Sequence, residues 1–528
     1  MRSNINRQVR HMASQVALNA RPDPARKPVV FFNASTRLVG MSLNAAYSLI
    51  ASWALRLQGL PVVQFTCWSG MSHCVLGTWR ENVTQPPPCR ACIAQSKSLY
   101  TGAQVVSFTY LPDPQLQSAL EGLNLQQLQD FSYQTSTLPY PPIPLGKLVL
   151  PSLRWVLRRH SVQDEEPVRY LLMEYIQSAF WVAHEFSALV DKADPIAAVV
   201  FNGQFFPEAT VRWICHQRNI RNLTHEVGLQ PFSAFFTPGE ATAYPLTVPE
   251  DFELSDQQNA RLDEYLQQRF QGKFSMAGIR FWSGMQAIDE SLLQQIERFK
   301  HIVPVFTNVI FDTSQPHSNV LFPDMFAWLD LVLEKAKAHS DTLLIIRAHP
   351  DEDRPGKESR QSVRQWAELR HISDLPNATF IAANQTLSSY ELIQRAKFVM
   401  VYNSTIGLEA SLMGAPVLCA GRSRFTQLPT VFFPSTLEEF RQKLDEFLSA
   451  EKIWVPSHFQ RNARRFLYYQ LYCSSLPFSD YLQEDGIWPG FVKLRQFMLA
   501  DLSPTASPTI KTILKGILEN GDFLLDAG

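Results

Sequence analysis

The most informative pattern in this chain is residues 399–417, VMVYNSTIGLEASLMGAPV. Its first three residues form a short apolar strand, and later apolar residues recur at helical spacing, which predicts a buried strand, a turn and a helix start. Asn403, Ser404 and Thr405 can cap that helix, and its free N–H groups, its dipole and the hydroxyls suit a pyrophosphate or nucleoside monophosphate. Glu409 could accept hydrogen bonds from a ribose. The alternative is an ordinary strand-to-helix turn of a doubly wound domain.

A second strand end lies upstream, in residues 342–350, TLLIIRAHP. The strand ends in Arg347 and the dipeptide His349-Pro350, which places an imidazole at the carboxyl edge of the sheet. Ligands of open parallel sheets bind at that edge, so we expect His349 and the Ser404 turn to share one crevice. The imidazole can donate a hydrogen bond to a phosphate or neutralise a leaving group. A satisfied structural histidine is the alternative.

These motifs resemble the capsule and surface-polysaccharide biosynthesis glycosyltransferases of bacteria, which have the two-domain GT-B architecture. The resemblance is good over about residues 300–425 and looser before them. It implies that the His-Pro and Ser-Ser/Thr motifs bind the phosphates of a nucleotide sugar. The residues that carry the resemblance are Arg347-Ala-His349-Pro350, Ser388-Ser389-Tyr390, Tyr402-Asn-Ser404-Thr405-Ile-Gly407-Leu-Glu409 and Gly414-Ala-Pro416-Val417. The nucleotide-sugar contacts implied in this way are Arg347, Ser388, Ser404, Thr405, Gly407 and Glu409.

Composition limits the classes of function. With 528 residues the chain exceeds what one core usually serves, which favours two domains. The 48 Lys and Arg against 49 Asp and Glu leave a net charge of −1, which argues against a nucleic-acid-binding chain because that class needs a basic excess. Aromatic residues make up 12%, enough for large cores and for clefts that hold sugar rings.

The ends of the chain carry separate expectations. Residues 1–27 hold six basic residues against Asp23 alone, which favours a flexible basic leader, with contact to an anionic membrane surface as the alternative. No secretory signal is recognisable, and the most hydrophobic window, residues 45–63, is interrupted by Gly59 and Pro61. We therefore predict a soluble, cytoplasmic protein, with peripheral association at the inner membrane as the open alternative.

The alternation of predicted strands and helices along the chain predicts an α/β fold with two doubly wound Rossmann-like domains, a cysteine-rich insertion and C-terminal helices. The expected segments are a leader 1–27, an N-terminal acceptor domain 28–245 with a cysteine module 67–92, a helical connection 246–300, a nucleotide-sugar-binding domain 301–450 and a helical extension 451–528.

Four of the seven cysteines fall within 26 residues: Cys67, Cys74, Cys89 and Cys92. Tetrahedral zinc takes four such ligands, and a closing C-x2-C pair supplies two of them, so we expect a structural zinc. The first pair, six residues apart, is wider than in common zinc ribbons. An iron–sulfur cluster, disulfides and free thiols are the alternatives.

The leading hypothesis is a glycosyltransferase that moves a sugar from a nucleotide-sugar donor to a surface polysaccharide, another glycan or a lipid-linked acceptor, with no metal required for transfer. His349 would stabilise the departing phosphate, and Glu226, a carboxylate at a strand end of the N-terminal domain, would act as base. Asp312 and Glu208 are rival bases. A nucleotide-sugar epimerase of the same architecture and a noncatalytic scaffold of a polysaccharide assembly are the competing functions.

Overall fold

The computed structural model describes residues 2–271, 274–276, 279–281, 286–356 and 358–526, with the side chains of 4–271, 286–356 and 358–526. Part of the expected connection 246–300 therefore lies outside the described residues. Two parallel sheets flanked by helices dominate the chain, which confirms the doubly wound α/β prediction.

The N-terminal sheet has a parallel centre because its two middle strands, Val29–Phe32 and Ala197–Phe201, are apolar over their whole length and are covered by helices on both faces. Its order is β14-β6-β5-β4-β1-β2-β3, with β6 and β14, Leu476–Pro477, antiparallel at one edge. Its first six strands are β1 Val29–Phe32, β2 Val62–Cys67, β3 Gln104–Phe108, β4 Ala197–Phe201, β5 Arg221–Val227 and β6 Ser233–Thr237. The helices of this part are α1 Arg2–Asn19, α2 Leu43–Leu57, α3 Cys89–Leu99, α4 Pro114–Leu120, α5 Leu125–Gln129, α6 Leu145–Leu157, α7 Glu166–Ala193 and α8 Phe206–Gln217.

The expectation of a flexible leader is wrong. Residues Arg2–Asn19 form α1, and Val9, Ala13 and Val16 on one side of it are buried in the core that also holds α2. The scattered apolar residues recur at helical spacing, so they bury one stripe while Arg7 and Arg10 stay exposed.

The C-terminal sheet is entirely parallel, in the order β11-β10-β9-β12-β13. Before it come α9 Asp256–Phe270, β7 Phe274–Met276, β8 Ile279–Phe281 and α10 Glu290–Ile296. Its strands are β9 His301–Phe306, β10 Thr342–Arg347, β11 Ala378–Ile381, β12 Val399–Val401 and β13 Val417–Cys419. Its helices are α11 Gln315–Ser318, α12 Met325–Ala336, α13 Val363–Leu369, α14 Ser389–Arg395, α15 Ile406–Leu412 and α16 Leu437–Ser449.

The C-terminal tail returns to the first domain. Helix α17, Ser457–Tyr468, runs into a π-helical turn, Tyr469–Cys473, after which the chain pairs with β6. The expected helical extension 451–528 therefore also contains strands. Its remaining elements are β14 Leu476–Pro477, β15 Leu482–Glu484, β16 Val492–Leu494 and α18 Pro508–Leu518. Within the described residues, no helix is long and apolar enough to cross a membrane.

Candidate functional site

A cleft of about 730 Å³ opens at the carboxyl edge of the C-terminal sheet. It lies at β9, which has β10 on one side and β12 on the other. The sheet therefore continues in opposite directions from β9, with β10 and β11 on one side and β12 and β13 on the other. Thr307 and Asn308 follow β9, His349 follows β10, and Ser404 follows β12, and all of them line the cleft. Ligands of doubly wound sheets bind at this switch point.

The His349 ring is oriented by its own turn. Its Nδ1 accepts a hydrogen bond from the Asp351 N–H at 3.1 Å, so the proton of the neutral ring is on Nε2. Burial lowers the pKa of His349, which favours that neutral form, while Asp351 and Asp312 act in the opposite direction. The ring therefore presents an N–H donor to the cleft.

Arginines supply positive charge around the cleft. Arg347 ends β10 and is almost fully buried, and burial lowers its pKa to about 10, so it stays cationic at neutral pH. Arg422 and Arg424 follow β13 and line the opposite wall. The Arg424 guanidinium lies 3.9 Å from the ring centre of Tyr244, which comes from the N-terminal half of the chain.

The turn after β12 holds the hydroxyls that the sequence singled out. Asn403 is fixed from both sides: its Oδ1 accepts from Asn308 Nδ2 at 2.7 Å, and its Nδ2 donates to Ser318 Oγ at 2.6 Å. Thr405 stands at the N-cap position of α15 but makes no side-chain capping bond. Ser404 and Thr405 both line the cleft. Asn403 is thus a positioning residue, and the two hydroxyls face the site.

The prediction that His349, Ser404, Thr405 and Glu409 share one cleft is confirmed by this geometry, and Arg347 joins them. Their roles stay predictions.

Two predicted contacts lie off the cleft wall. Ser388 is the N-cap of α14 and accepts from the Glu391 N–H, whereas the next residue, Ser389, lines the cleft. Gly407 lies behind the wall, where an added Cβ would come within 2.8 Å of Val401 Cγ2. The glycine therefore permits close packing of α15 on β12, and neither residue is placed to contact a nucleotide.

Glu409 reaches the cleft but is held by protein donors. Arg269 donates to its Oε1 from Nε at 2.9 Å and from Nη2 at 2.6 Å, and Tyr390 donates to its Oε2 at 2.5 Å. Both members of the ion pair are more than 90% buried. A ribose contact for Glu409 would have to share these oxygens, so the structure gives Glu409 a structural role first.

Glu226 lies across the cleft in the N-terminal domain and is not among the residues that line it. Its Oε1 accepts from Asn44 Nδ2 at 3.0 Å and from the Val227 N–H at 2.9 Å, and its Oε2 accepts from Asn202 Nδ2 at 2.9 Å. Burial raises the pKa of Glu226, and the nearby charge of Asp312 acts in the same direction.

The two rival bases differ in access. Asp312 is exposed and lines the cleft. Glu208 is completely buried and accepts from the N–H and the hydroxyl of Ser35, at 2.7 and 2.8 Å. Glu208 therefore cannot meet an acceptor, whereas Asp312 can.

His317 joins the two halves beside the cleft. Its Nε2 lies 2.9 Å from Thr242 Oγ1, 3.2 Å from Gln204 Nε2 and 3.1 Å from Glu240 Oε2. Glu240 in turn pairs with Arg212 at 2.9 Å. One C-terminal side chain thus holds a polar network of the N-terminal domain.

Of the four clustered cysteines, Cys67 ends β2, Cys74 lies in the loop that follows, and Cys89 and Cys92 lie at the start of α3. All are free thiols. In the described part of the chain, no three His, Cys, Asp or Glu side chains are arranged to hold a metal ion. The zinc stays a prediction.

Sequence reasoning missed several cleft residues. Arg422 and Arg424 follow a strand, so the argument that found His349 could have found them. Arg269 lies in a polar helix of the connection, and no local pattern indicates that it would reach α15. Its position depends on how that helix packs.

Comparison with known proteins agrees with the sequence motifs. Residues 274–447 match the family model described as capsule polysaccharide biosynthesis protein. No match was found among curated protein sequences.

Solved structures give low-similarity matches. The beta Kdo 2,7 transferase of Thermosulfurimonas dismutans KpsC is 14% identical, with 59% of this chain and 85% of that chain covered and a TM-score of 0.32. The beta Kdo 2,4 transferase of the same protein is 10% identical, with 58% and 87% covered and a TM-score of 0.35. UDP-GlcNAc 2-epimerase of Methanocaldococcus jannaschii, in complex with UDP-GlcNAc and UDP, is 10% identical, with 84% and 98% covered and a TM-score of 0.26.

The family match spans the second sheet and most of the cleft wall, including the Arg347-Ala-His349-Pro350 and Ser404-Thr405 motifs. Residues 274–447, about a third of the chain, are therefore similar to the capsule polysaccharide biosynthesis proteins.

Proposed function

We propose that this protein is a glycosyltransferase that transfers a sugar from a nucleotide-sugar donor to a glycan or lipid-linked acceptor in capsule-type polysaccharide synthesis. One observation carries the proposal: the ends of β10 and β12 bring a neutral imidazole donor, a buried guanidinium and two hydroxyls to one switch-point cleft. Its volume of about 730 Å³ lies within the usual range of small-molecule sites.

The donor phosphates would lie at this edge of the C-terminal sheet. During transfer, the bond between the sugar carbon and the phosphate oxygen breaks, and negative charge grows on the departing nucleotide. His349 Nε2–H and Arg347 would stabilise that charge, while Ser404 and Thr405 hold the phosphate by hydrogen bonds. Because Asn308 and Ser318 fix Asn403, the turn is pre-arranged before the donor binds.

The acceptor would enter from the N-terminal domain. Glu226 would take the proton of the attacking hydroxyl as the new bond forms between the acceptor oxygen and the sugar carbon. A carboxylate whose pKa is raised is a stronger base, and burial raises the pKa of Glu226. Glu226 is not on the cleft wall, so this role requires the domains to close on the donor. Asp312, already in the cleft, is the alternative.

The test begins with nucleotide binding. A thermal-shift panel of uridine, guanosine and adenosine diphosphates and cytidine monophosphate should show stabilisation by one of them. A nucleotide that binds in the cleft binds only the folded protein and therefore raises its melting temperature. His349→Ala and Ser404→Ala should weaken this shift, and His458→Ala, an exposed histidine of α17, should leave it unchanged. A noncatalytic scaffold would show no shift with any nucleotide.

Turnover separates the two enzyme classes. The nucleotide sugar that binds is incubated with and without a capsule oligosaccharide acceptor, and the products are analysed by mass spectrometry. A transferase lengthens the acceptor by one sugar and releases the nucleotide. Conversion of the donor sugar at the same rate without any acceptor would reject the proposal in favour of an epimerase.

A further inference from the structure

A short turn after β4 lies where the two halves of the chain meet. It consists of Asn202, Gly203 and Gln204, at the carboxyl edge of the N-terminal sheet. Asn202 is only 3% exposed, and its N–H donates to the His225 carbonyl oxygen of β5 at 2.9 Å. The next residue of β5 is Glu226. The turn therefore begins beside the candidate base.

The backbone of this turn is unusual at its first residue. Asn202 has a φ of 59°, in the left-handed region that glycine adopts most easily, and Gly203 follows with a φ of 85°. Asparagine is one of the few other residues that tolerate this conformation, but it does so with some strain. A side chain kept at such a position indicates that the side chain has a use.

The amide of Asn202 is oriented by its own turn. Its Oδ1 accepts a hydrogen bond from the Gln204 N–H at 3.0 Å. A backbone N–H can only donate, so this contact identifies the amide oxygen and leaves Nδ2 to face Glu226. Nδ2 donates to Glu226 Oε2 at 2.9 Å. The amide is therefore a fixed donor to the candidate base.

The two oxygens of Glu226 are held unequally. Oε1 accepts from Asn44 Nδ2 at 3.0 Å and from the Val227 N–H at 2.9 Å. Among the described residues, Oε2 accepts from Asn202 alone. A carboxylate oxygen has two lone-pair positions, so Oε1 is filled and Oε2 keeps one position free. Asn202 thus fixes the oxygen that is open to a proton.

The same turn contacts the wall of the donor cleft. The amide nitrogen of Asn202 lies 3.5 Å from Thr313 Oγ1, and Thr313 stands between two residues that line the cleft, Asp312 and Ser314. Two residues further along the turn, Gln204 Nε2 lies 3.2 Å from the Nε2 of His317, which also lines the cleft. One side chain therefore separates the candidate base from the cleft wall.

We propose that Asn202 is a positioning residue for sugar transfer, because its amide holds Glu226 Oε2 beside residues 312–318 of the donor cleft. This role rests on the proposed function, in which Glu226 is the base. The acceptor hydroxyl gives its proton to Oε2 while its oxygen bonds to the sugar carbon, and the bond from that carbon to the phosphate oxygen breaks. Asn202 makes and breaks no covalent bond; it keeps the accepting oxygen in place.

The amide also affects the acidity of the base. Burial raises the pKa of Glu226, and the hydrogen bond from Asn202 acts in the opposite direction because it stabilises the carboxylate. Loss of the amide should therefore raise this pKa further. The other groups that act on this carboxyl, or on which it acts, are the Val227 N–H and the Asn44 amide, which lower its pKa, Asp312, which raises it, and the hydroxyls of Tyr47 and Tyr244.

Two matched variants separate the side chain from the backbone. Asn202→Gly removes the amide and keeps the left-handed turn, because glycine adopts that conformation freely. Asn219→Gly is the control: Asn219 also has a left-handed φ, 53°, but it is exposed and precedes β5 at the opposite edge of the sheet. Both variants should show the wild-type thermal shift with the nucleotide of the panel that stabilises the wild type.

Steady-state kinetics distinguish positioning from a folding defect. Asn202→Gly should lower kcat for transfer about tenfold or more, with KM for the donor near wild type, because a hydrogen bond to a charged group is lost. The rising part of its pH–rate profile should move up by about one pH unit, and Asn219→Gly should match the wild type throughout. An unchanged kcat in Asn202→Gly, or a reduced kcat with an unshifted profile, would overturn the proposal.

Urea unfolding measures the same hydrogen bond without turnover. The folded pKa of Glu226 is lower in wild type than in Asn202→Gly, so the stability difference between the two proteins should grow as the pH rises through the wild-type pKa. A difference that is independent of pH would overturn the link to the carboxylate. Failure of the proposed function is a separate result: the wild type then transfers no sugar, and the positioning role falls with it. An active wild type with an equally active Asn202→Gly refutes the role of Asn202 alone.

Discussion

The buried ion pair between Arg269 and Glu409 makes a quantitative prediction. Replacing Arg269 by Met removes two hydrogen bonds to Glu409 Oε1, at 2.9 and 2.6 Å. It leaves a carboxylate that is 7% exposed, with the Tyr390 hydroxyl as its remaining side-chain donor among the described residues. Breaking one partner of such a pair costs about 3–5 kcal/mol, because the remaining charge stays buried. Arg269→Met should therefore lower the free energy of unfolding of the C-terminal domain by about that amount.

A matched variant isolates the effect of burial. Arg461 also forms a forked contact with a carboxylate, Glu253, but the two side chains are 57% and 49% exposed. Exposed pairs contribute about 0–1 kcal/mol, so Arg461→Met should change stability very little. The two variants remove the same side chain from helices of similar length, and only the environment differs.

The assay is urea unfolding followed by tryptophan fluorescence and by far-ultraviolet circular dichroism, since a two-domain chain can unfold in two steps. Adding Glu409→Gln to Arg269→Met should restore part of the stability, with a coupling energy of about 2 kcal/mol. The reasoning is refuted if Arg269→Met lowers the free energy of unfolding no more than Arg461→Met does. It is also refuted if Glu409→Gln destabilises the Arg269→Met variant as much as it destabilises the wild type.

Three further outcomes are expected. His349→Ala should lower the transfer rate about a hundredfold or more while the melting temperature stays near wild type, because the Nε2–H stabilises the departing phosphate, and His458→Ala should have normal turnover. The transfer rate should rise with pH through the raised pKa of the buried Glu226 carboxyl, and Glu226→Gln should abolish this rising part of the pH–rate profile. If Glu226→Gln keeps the rise and Asp312→Asn loses it, the base is Asp312. Burial lowers the pKa of His225 to about 3, below its unfolded value of about 6.5, so its contribution to stability is present above pH 6.5 and is lost as the pH falls toward 3. The urea midpoint of His225→Gln should therefore fall less steeply than that of wild type between pH 6.5 and 3. Parallel curves for the variant and the wild type would exclude the effect.

Local sequence patterns were sufficient for the strands and for the strand-end residues. The central strands β1 and β4 are apolar throughout, and β10 is apolar between Thr342 and Arg347. Such runs are typical of strands in a parallel sheet that helices cover on both faces. Once the strands are known, polar residues after them must meet at one edge. For this reason His349, Ser404 and Thr405 could be placed in one cleft from the sequence.

The errors have a different origin. Gly407 and Ser388 lie in the correct motifs, but helix packing turns Gly407 behind the wall and capping occupies Ser388. The first 27 residues look polar on average, yet three small or branched residues of α1 are enough to bury one side of it. Average composition does not reveal such a stripe.

The two doubly wound sheets and the edge at which a ligand would bind could be predicted from the sequence, because they depend on apolar periodicity and on the spacing of the strands. Only the packing of the chain brings Arg269 to Glu409 and His317 to Thr242 and Glu240 beside the cleft. Arg269 and Glu409 are 140 residues apart, and His317 and Thr242 are 75 residues apart, so no local pattern links them. Charge compensation in a folded protein depends on distance in space and on exclusion of water, and both arise only when the chain is packed.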